Sequence, residues 1–182
     1  MTTLNSVLVD GRRTRYDAIS RILHWLTLLL LSAQFALGWL MPDADSVKTP
    51  QGLAAWHVGV GTLLLVVVIV RLLWAAIRRS PADVQQSAVL RFAAKTLHRL
   101  LYALLLAVPL LGWLNAGGRD WAVRLAGVAL LPRLASPDSL GATIGEWHTT
   151  SAIVLLALIG LHVVAAITHQ IGFKDQTIRR ML

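Results

Sequence analysis

The chain has 182 residues, of which 56% are hydrophobic and 14% charged, whereas soluble domains are usually about 45–50% apolar and about 25% charged. This composition excludes an ordinary soluble domain and indicates an integral membrane protein, and the absence of cysteine excludes disulfides, cysteine-ligated zinc and iron–sulfur clusters. The net charge of +8 would suggest a nucleic-acid ligand in a soluble protein, but the positions of the charges indicate membrane orientation, so no nucleic-acid partner is expected.

Four stretches are long and apolar enough to cross a bilayer as helices, which takes roughly 20 residues each. The first 18 residues contain no apolar run, so we expect a short polar arm and no cleavable signal peptide. Helix is favoured over strand even where β-branched residues dominate, because a lone strand cannot pair its backbone in lipid. The chain is therefore predicted to be one all-α membrane domain, a four-helix bundle with spans at about residues 19–41, 52–77, 97–116 and 146–173.

The segments between the spans carry further expectations. Arg78 to Arg99 is read as a basic loop, and Pro109 with Gly112 predicts a kink in the third span. The longest connection, residues 117–146, contains a semi-apolar patch at residues 121–131, for which we predict a short helix lying at the membrane interface. No sequence repeat of fixed period is visible.

The basic residues are distributed unequally between the two sides of the predicted bundle. Four spans place both termini on one side, and that side holds all but four of the 17 Lys and Arg residues. The exceptions are Lys48, Arg119, Arg124 and Arg133. The positive-inside rule therefore predicts that both termini are cytoplasmic.

Histidines lie in or beside all four spans. His57 and His148 open the second and fourth spans near the outer face, and the others lie toward the inner face: His24, His98, His162 and His169. A separation of 14 residues, as between His148 and His162, returns to nearly the same helix face after a rise of roughly 21 Å. Because an imidazole in hydrocarbon is costly without a partner, these residues indicate two functional sites at two depths.

Facing histidines from separate helices are typical of haem iron held by two axial ligands. Zinc or copper usually needs three or four clustered ligands, and no acidic residue lies within a span beyond Glu146, the first residue of the fourth. The sequence thus predicts a bundle with two haems between its helices, suited to electron transfer. Arg71 follows His57 by the same 14 residues and is expected beside the inner haem's propionates. Depth alone leaves the partner of His24 open among His98, His162 and His169.

Several motifs resemble those of the prokaryotic cytochrome b561 family, over essentially the whole chain after residue 18. They are Ile-Leu-His24-Trp-Leu, Trp-His57-Val-Gly59 with Val-Arg71-Leu-Leu, His98-Arg-Leu-Leu-Tyr102 with Val-Pro109-Leu-Leu-Gly112, Glu-Trp-His148, Gly-Leu-His162 and Phe-Lys174-Asp175. The resemblance implies a four-helix, dihaem b-type cytochrome of the bacterial inner membrane.

The same resemblance implies roles for individual residues. It makes His57 and His148 the axial ligands of an outer haem b, and His24 and His162 those of an inner haem b. It also places a quinone pocket at three further candidates: His169, Lys174 and Asp175. The activity implied is superoxide oxidase, in which superoxide gives an electron on the outer side and ubiquinone is reduced.

If superoxide is the donor, a cationic funnel would raise its encounter rate, and three arginines of the longest connection are candidates: Arg119, Arg124 and Arg133. A second reading keeps the haems but makes the chain an electron-transfer subunit of a hydrogenase or formate dehydrogenase. A third, a histidine-lined metal or proton transporter, would predict acidic residues within the spans, and none lies beyond Glu146 at the start of the fourth. Membrane lipid is an expected partner, and whether the chain forms a homo-oligomer stays open.

Overall fold

The structure, a computed structural model, describes residues 8–9, 12–13, 15–46, 48–78, 87–137, 141–173 and 177–182. Its four long helices are α1 (Ala18–Leu40), α2 (Gly52–Ile77), α3 (Ala88–Gly118) and α4 (Gly141–Thr168). Before α1, the short strands β1 (Leu8–Val9) and β2 (Arg12–Arg13) pair in antiparallel fashion. Each contains a segment long and apolar enough to cross a membrane. The predicted all-α membrane fold is confirmed.

The third helix begins earlier than its predicted span. Ser87 caps it by accepting a hydrogen bond from the Leu90 backbone N–H, so the segment read as a basic loop is helical from Ala88 onward. Pro109 lies within α3 without ending it. At the other end of the chain, α4 passes into a π-helical turn at His169–Phe173.

Direct packing joins α1 to α2, α2 to α3, and α3 to α4. The central core is formed by buried aliphatic side chains from all four helices: Leu30, Leu31, Leu64, Val67, Val68, Leu101, Leu105 and Leu155. Among the described residues, α4 makes at most marginal contact with α1 and with α2. The same holds for α1 and α3, so three of the six pairs of long helices in the described part of the chain do not pack directly against each other.

The predicted interfacial helix at residues 121–131 is wrong. The segment forms a hairpin of two short antiparallel strands, β3 (Arg124–Leu125) and β4 (Ala129–Leu130). The chain reverses at Ala126 and Gly127, whose φ angles of 49° and 78° lie in the left-handed region that a continuous helix cannot contain. The apolar residues that suggested a membrane-surface helix include Trp121 and Val123, which are buried against the bundle.

Thr62 of α2 holds this hairpin on the bundle. Its buried hydroxyl lies 2.8 Å from the Gly59 carbonyl and 3.2 Å from the Arg124 carbonyl, and it accepts the Ala126 N–H at 3.2 Å. Gly59 lies directly against Gly127, where an added Cβ would come within 3.2 Å of the Gly127 nitrogen.

Thr62→Val is therefore expected to destabilise the protein by about 1–3 kcal/mol, because the hairpin groups lose a buried partner while the side-chain volume is kept. Thermal unfolding of the detergent-solubilised protein measures the effect. Ser32→Ala is the control, since that exposed hydroxyl bonds only the Leu28 carbonyl of its own helix. Equal unfolding temperatures for the two variants would contradict the prediction.

Both ends of the described chain meet at one end of the bundle. The Tyr16 N–H donates to the Arg180 carbonyl at 3.2 Å, and the Trp25 indole N–H donates to the Met181 carbonyl at 2.9 Å. Asp17 caps α1 at this end. Burial raises the pKa of Asp17, but hydrogen bonds from Ser20 and Trp74 and the nearby Arg78 charge outweigh it, so the pKa lies below 3.8.

Candidate functional site

The outer histidines face each other across the gap between α2 and α4. The ring centroids of His57 and His148 are 6.1 Å apart. Imidazole nitrogens bind a metal ion at roughly 2 Å, so two rings on opposite sides of one ion have centroids about 6 Å apart. The spacing of His57 and His148 therefore suits a single metal ion between them, as in a haem with two axial histidines.

The helix α3 fixes the orientation of His148. The Nδ1–H of His148 lies 2.9 Å from the Val108 carbonyl oxygen and donates to it. Gly112, one turn further along α3, makes this approach feasible, because a Cβ there would come within 3.0 Å of the ring's Cε1. A hydrogen bond from Nδ1–H to a carbonyl selects the tautomer whose Nε2 lone pair is available, which is the usual arrangement of a metal-binding histidine.

Both rings line a cavity of about 510 Å³ at the outer end of the bundle. This volume lies within the roughly 300–1,000 Å³ typical of cofactor and small-molecule sites. The charged side chains in its lining are Asp43, Asp45, Arg119 and Glu146. Arg119 pairs with Asp45 at 2.6 Å and donates to Asn115 Oδ1 at 3.0 Å, so its guanidinium is held at the cavity wall.

The three candidate steering arginines do not share one location. Only Arg119 lines the cavity. Arg124 lies in β3 and donates to the Val128 carbonyl at 3.4 Å, and Arg133 pairs with Asp120. The funnel stays a prediction, and the geometry concentrates it on Arg119.

The inner histidines form a second cluster near the other end of the bundle. His24 Nδ1 lies 2.9 Å from Arg71 Nη2, and the Arg71 guanidinium also lies 5.3 Å from the Tyr102 ring centroid. His98 and His162 have ring centroids 5.1 Å apart. Electrostatic interactions connect His24 with both of those rings. The structure thus brings together Arg71, His24 and two of the three candidate partners of His24, which are His98 and His162.

The quinone candidates lie beyond the inner cluster in the chain. His169 opens the π-helical turn that follows α4. Lys174 and Asp175 lie outside the described residues, so their predicted role is untouched by the structure.

A layer of leucines separates the two groups of histidines. Leu31, Leu64, Leu105 and Leu155 each follow an inner or outer site residue by seven residues, roughly 10 Å along a helix. All four are buried, and Leu155, midway between His148 and His162, is only 1% exposed. The site therefore consists of an outer polar layer, an apolar layer and an inner polar layer.

Sequence reasoning missed the residues that support the outer rings. Gly112 and the Val108 carbonyl contact His148, and Gly38 of α1 contacts His57, where an added Cβ would come within 3.4 Å of Cε1. The signal was present in the sequence, since Gly38 and Gly112 both lie in the string Leu-Gly-Trp-Leu and both follow a histidine by 14 residues.

Comparison with known proteins gives concordant results. The model of a family described as prokaryotic cytochrome b561 matches residues 15–182. The chain is 30% identical over 175 residues to cytochrome b561 homolog 2 of Escherichia coli (strain K12), covering 92% of this chain and 91% of that protein. It is 32% identical over 175 residues to cytochrome b562 of Cereibacter sphaeroides, with 92% and 94% covered.

A further relative is a Yersinia pestis protein named probable superoxide oxidase CybB, 27% identical over 176 residues, with 92% of this chain and 96% of that protein covered. Each of these similarities extends along nearly the full length of both chains. They therefore include all four helices and both groups of histidines.

Proposed function

Because the chain belongs to the prokaryotic cytochrome b561 family, we propose that it carries electrons through the membrane from superoxide on the outer side to ubiquinone on the inner side. Family membership implies b-type haem, and we propose two of them, one in each polar layer. The observation that carries the proposal is the outer pair of histidines, which lie on different helices with ring centroids 6.1 Å apart.

The chain's own residues would hold these groups at both depths. His57 and His148 would bind the outer haem iron, with the His148 ring already oriented by the Val108 carbonyl. His24 and His162 would bind the inner one, since they belong to α1 and α4, which do not pack closely together. When bound, the two haems supply one-electron redox chemistry and no open coordination position.

Arg71 would assist at the inner layer. Its Nη2 faces Nδ1 of His24 and donates to it, which leaves the His24 proton on Nε2. Ligation through Nε2 requires that proton to move to Nδ1 and the arginine to release the ring. The guanidinium would then be available to an anionic group such as a haem propionate.

The leucine layer would let electrons pass between the two haems but would not conduct protons. Electrons can cross a short apolar gap, whereas protons need water or polar side chains, and Leu31, Leu64, Leu105 and Leu155 supply neither. Protons for quinone reduction would then come from the inner side, where His169, Lys174 and Asp175 are the proposed quinone-binding residues. In this proposal the inner side is the cytoplasm of a bacterium and both termini lie there, following the distribution of basic residues.

The direct test is the absorption spectrum and haem content of the purified protein, followed by quinone reduction with superoxide as donor. We expect two haem b per chain, sharp α and Soret bands on reduction, and ubiquinol formation that superoxide dismutase suppresses. A colourless protein, or one that holds a single haem when fully loaded, would overturn the dihaem proposal. Two haems without quinone reduction by superoxide would overturn only the choice of donor.

An electron-transfer subunit is the second candidate, and the cavity rim favours it. Asp43, Asp45 and Glu146 place three carboxylates around one guanidinium, so the rim is acidic on balance and would repel a small anion. An acidic rim suits a basic redox protein. Co-purification with a large redox subunit on the outer side would decide for this reading.

Arg119 provides a test between the two donors. If superoxide is the donor, Arg119→Gln is expected to slow the superoxide reaction several-fold at low salt, because this guanidinium is the positive charge on the cavity wall. Arg119 and the three lining carboxylates act in opposite directions, so the salt dependence of the wild-type rate shows which dominates. A rate that falls as ionic strength rises indicates attraction of superoxide, and a rate that rises indicates repulsion. Arg124→Gln is the control, since that side chain lies outside the cavity lining. Stopped-flow oxidation rates at several salt concentrations would show the effect, and a rate indifferent to salt would exclude steering.

A further inference from the structure

The first and third helices carry closely similar sequences. Residues 23–40 and 97–114, aligned at an offset of 74, are identical at ten of 18 positions. The shared residues are a histidine, an alanine, a Gly-Trp pair and six leucines. The helices that follow them match more weakly, through Trp-His at residues 56–57 and 147–148 and Leu-Leu at residues 64–65 and 155–156.

The contacts within the two helical hairpins correspond position by position. Gly38 of α1 lies against the ring of His57, and Gly112 of α3 lies against the ring of His148. At the same offset of 74, Gln34 is the counterpart of Val108, whose carbonyl accepts the His148 Nδ1–H.

The hydrogen bond from the histidine to a backbone carbonyl is formed in the second hairpin, at His148, and is not formed in the first, at His57. The Gln34 backbone interacts with His57, but no hydrogen bond of standard geometry joins them, and His57 Nδ1 is buried without a partner among the described residues. The two helical hairpins, α1–α2 and α3–α4, thus share one pattern of residues and contacts, and both begin on the same side of the bundle.

We propose that Gly38 and Gly112 are positioning residues for the outer site, each forming a cradle in which an axial histidine lies flat against the preceding helix. The missing Cβ lets the ring reach the backbone carbonyl one turn earlier, at Gln34 or Val108. In the structure the Val108 carbonyl accepts the Nδ1–H of His148. The Gln34 carbonyl would accept that of His57 once the ring is held by iron, so that Nε2 is the ligand atom in both histidines. The inference rests on the proposed function, because it concerns how the chain presents two imidazoles to one haem.

The two cradles differ in how closely they fit. A Cβ at Gly112 would come within 3.0 Å of His148 Cε1 and 3.2 Å of its Nδ1, whereas a Cβ at Gly38 would come within 3.4 Å and 3.6 Å of the same atoms of His57. The contact at Gly112 is tighter than an ordinary van der Waals contact, so the His148 ring, which a hydrogen bond holds in place, would have to give by a few tenths of an ångström. The contact at Gly38 is an ordinary van der Waals contact. An added methyl group should therefore displace His148 and only crowd His57.

The two hairpins differ in one residue of the inner layer. His24 and His98 are counterparts at the offset of 74, and Arg71 occupies the position that His162 has in the second hairpin. The contacts agree with this, because His24 touches Arg71 and His98 touches His162. In the outer layer both hairpins have a histidine, at His57 and His148, so the glycine cradle is present there in both hairpins.

The test compares three glycine-to-alanine variants of the full-length protein. Gly112→Ala is expected to reduce haem content from two to one per chain, with the remaining haem in the inner layer. Gly38→Ala is expected to keep both haems and to shift the midpoint potential of one of them. Gly160→Ala is the matched control within α4, because nothing lies within 4 Å of an added Cβ there, and it should behave as wild type.

The readouts are haem content, redox titration and electron paramagnetic resonance of each oxidised haem. The inner haem reports whether Gly112→Ala still folds. Two haems with unchanged potentials and resonance signals in Gly112→Ala would overturn the cradle. If that variant loses both haems, Gly38→Ala decides, because its contact with His57 is milder, and unchanged potentials and resonance signals there would overturn the cradle. A wild-type protein without haem would instead overturn the proposed function.

Discussion

Replacing His148 with alanine is expected to leave one haem per chain in place of two and to abolish quinone reduction by an external donor. His57 and His148 are the two imidazoles among the described residues that line the outer cavity. Of the Cys, Met and Lys side chains that could bind iron in place of His148, Met41 is the one found among those lining residues. Because the outer haem is the proposed entry point, its loss should lower turnover by at least about 100-fold, the scale on which losing a metal site's support already acts.

Haem content by pyridine haemochrome assay and turnover with superoxide would measure this effect. Thr149→Ala is the control, because Thr149 lines the same cavity and carries no ligand nitrogen. Imidazole added during haem loading should restore part of the lost haem in His148→Ala, since it can occupy the space left by the ring. Two haems and normal turnover in His148→Ala would contradict the outer ligand assignment.

The fold was predictable from sequence because its determinants are local. An uninterrupted apolar run long enough to cross a bilayer admits only a helix, and all four such runs are helices in the structure. The 14-residue spacing between site residues also transfers directly to space, since helix geometry converts it into a shared face at two depths. The structure places the ring centroids of His57 and His148 6.1 Å apart, and their role as haem ligands stays a prediction.

The parts that sequence reasoning missed depend on contacts between distant segments. The outer hairpin forms because residues such as Trp121 bury against the bundle and Thr62 bonds its backbone, and neither contact leaves a periodic pattern. The correspondence between the two hairpins has no fixed period, because the connection between α3 and α4 is longer than that between α1 and α2. The counterparts are 74 residues apart in the first helix of each hairpin and 91 residues apart at His57 and His148.

The depth of a histidine in the membrane does not by itself identify the inner haem ligands. His24, His98 and His162 all lie at the inner level, and the structure places all three within one cluster with Arg71. Helix packing favours one pair as our proposal. The helices α3 and α4 pack directly against each other, and the ring centroids of His98 and His162 are 5.1 Å apart, less than the roughly 6 Å expected for two imidazoles on one iron. Among the described residues, α1 and α4 make at most marginal contact, so we propose the inner haem between His24 and His162.

His24→Ala is accordingly expected to reduce haem content to one per chain, whereas His98→Ala should retain both haems. His98 Nδ1 lies 2.7 Å from the Ala94 carbonyl of its own helix, and its side chain is exposed, so its loss should leave the proposed haem site between α1 and α4 unchanged. His24→Ala should also slow quinone reduction by at least about 100-fold, because the proposed path to the inner side is then interrupted.

His169→Ala completes this set of variants, since it follows the proposed ligand His162 by seven residues on the quinone side. Haem content should survive in this variant while quinone reduction falls by roughly 10²–10⁴-fold, the usual contribution of a proton-transferring side chain. Single-turnover reduction of the haems by superoxide separates the steps, because it should stay fast in His169→Ala and stop at the outer haem in His24→Ala. If His98→Ala loses one haem and His24→Ala keeps two, the inner iron is instead held between α3 and α4, and those helices must separate to admit it.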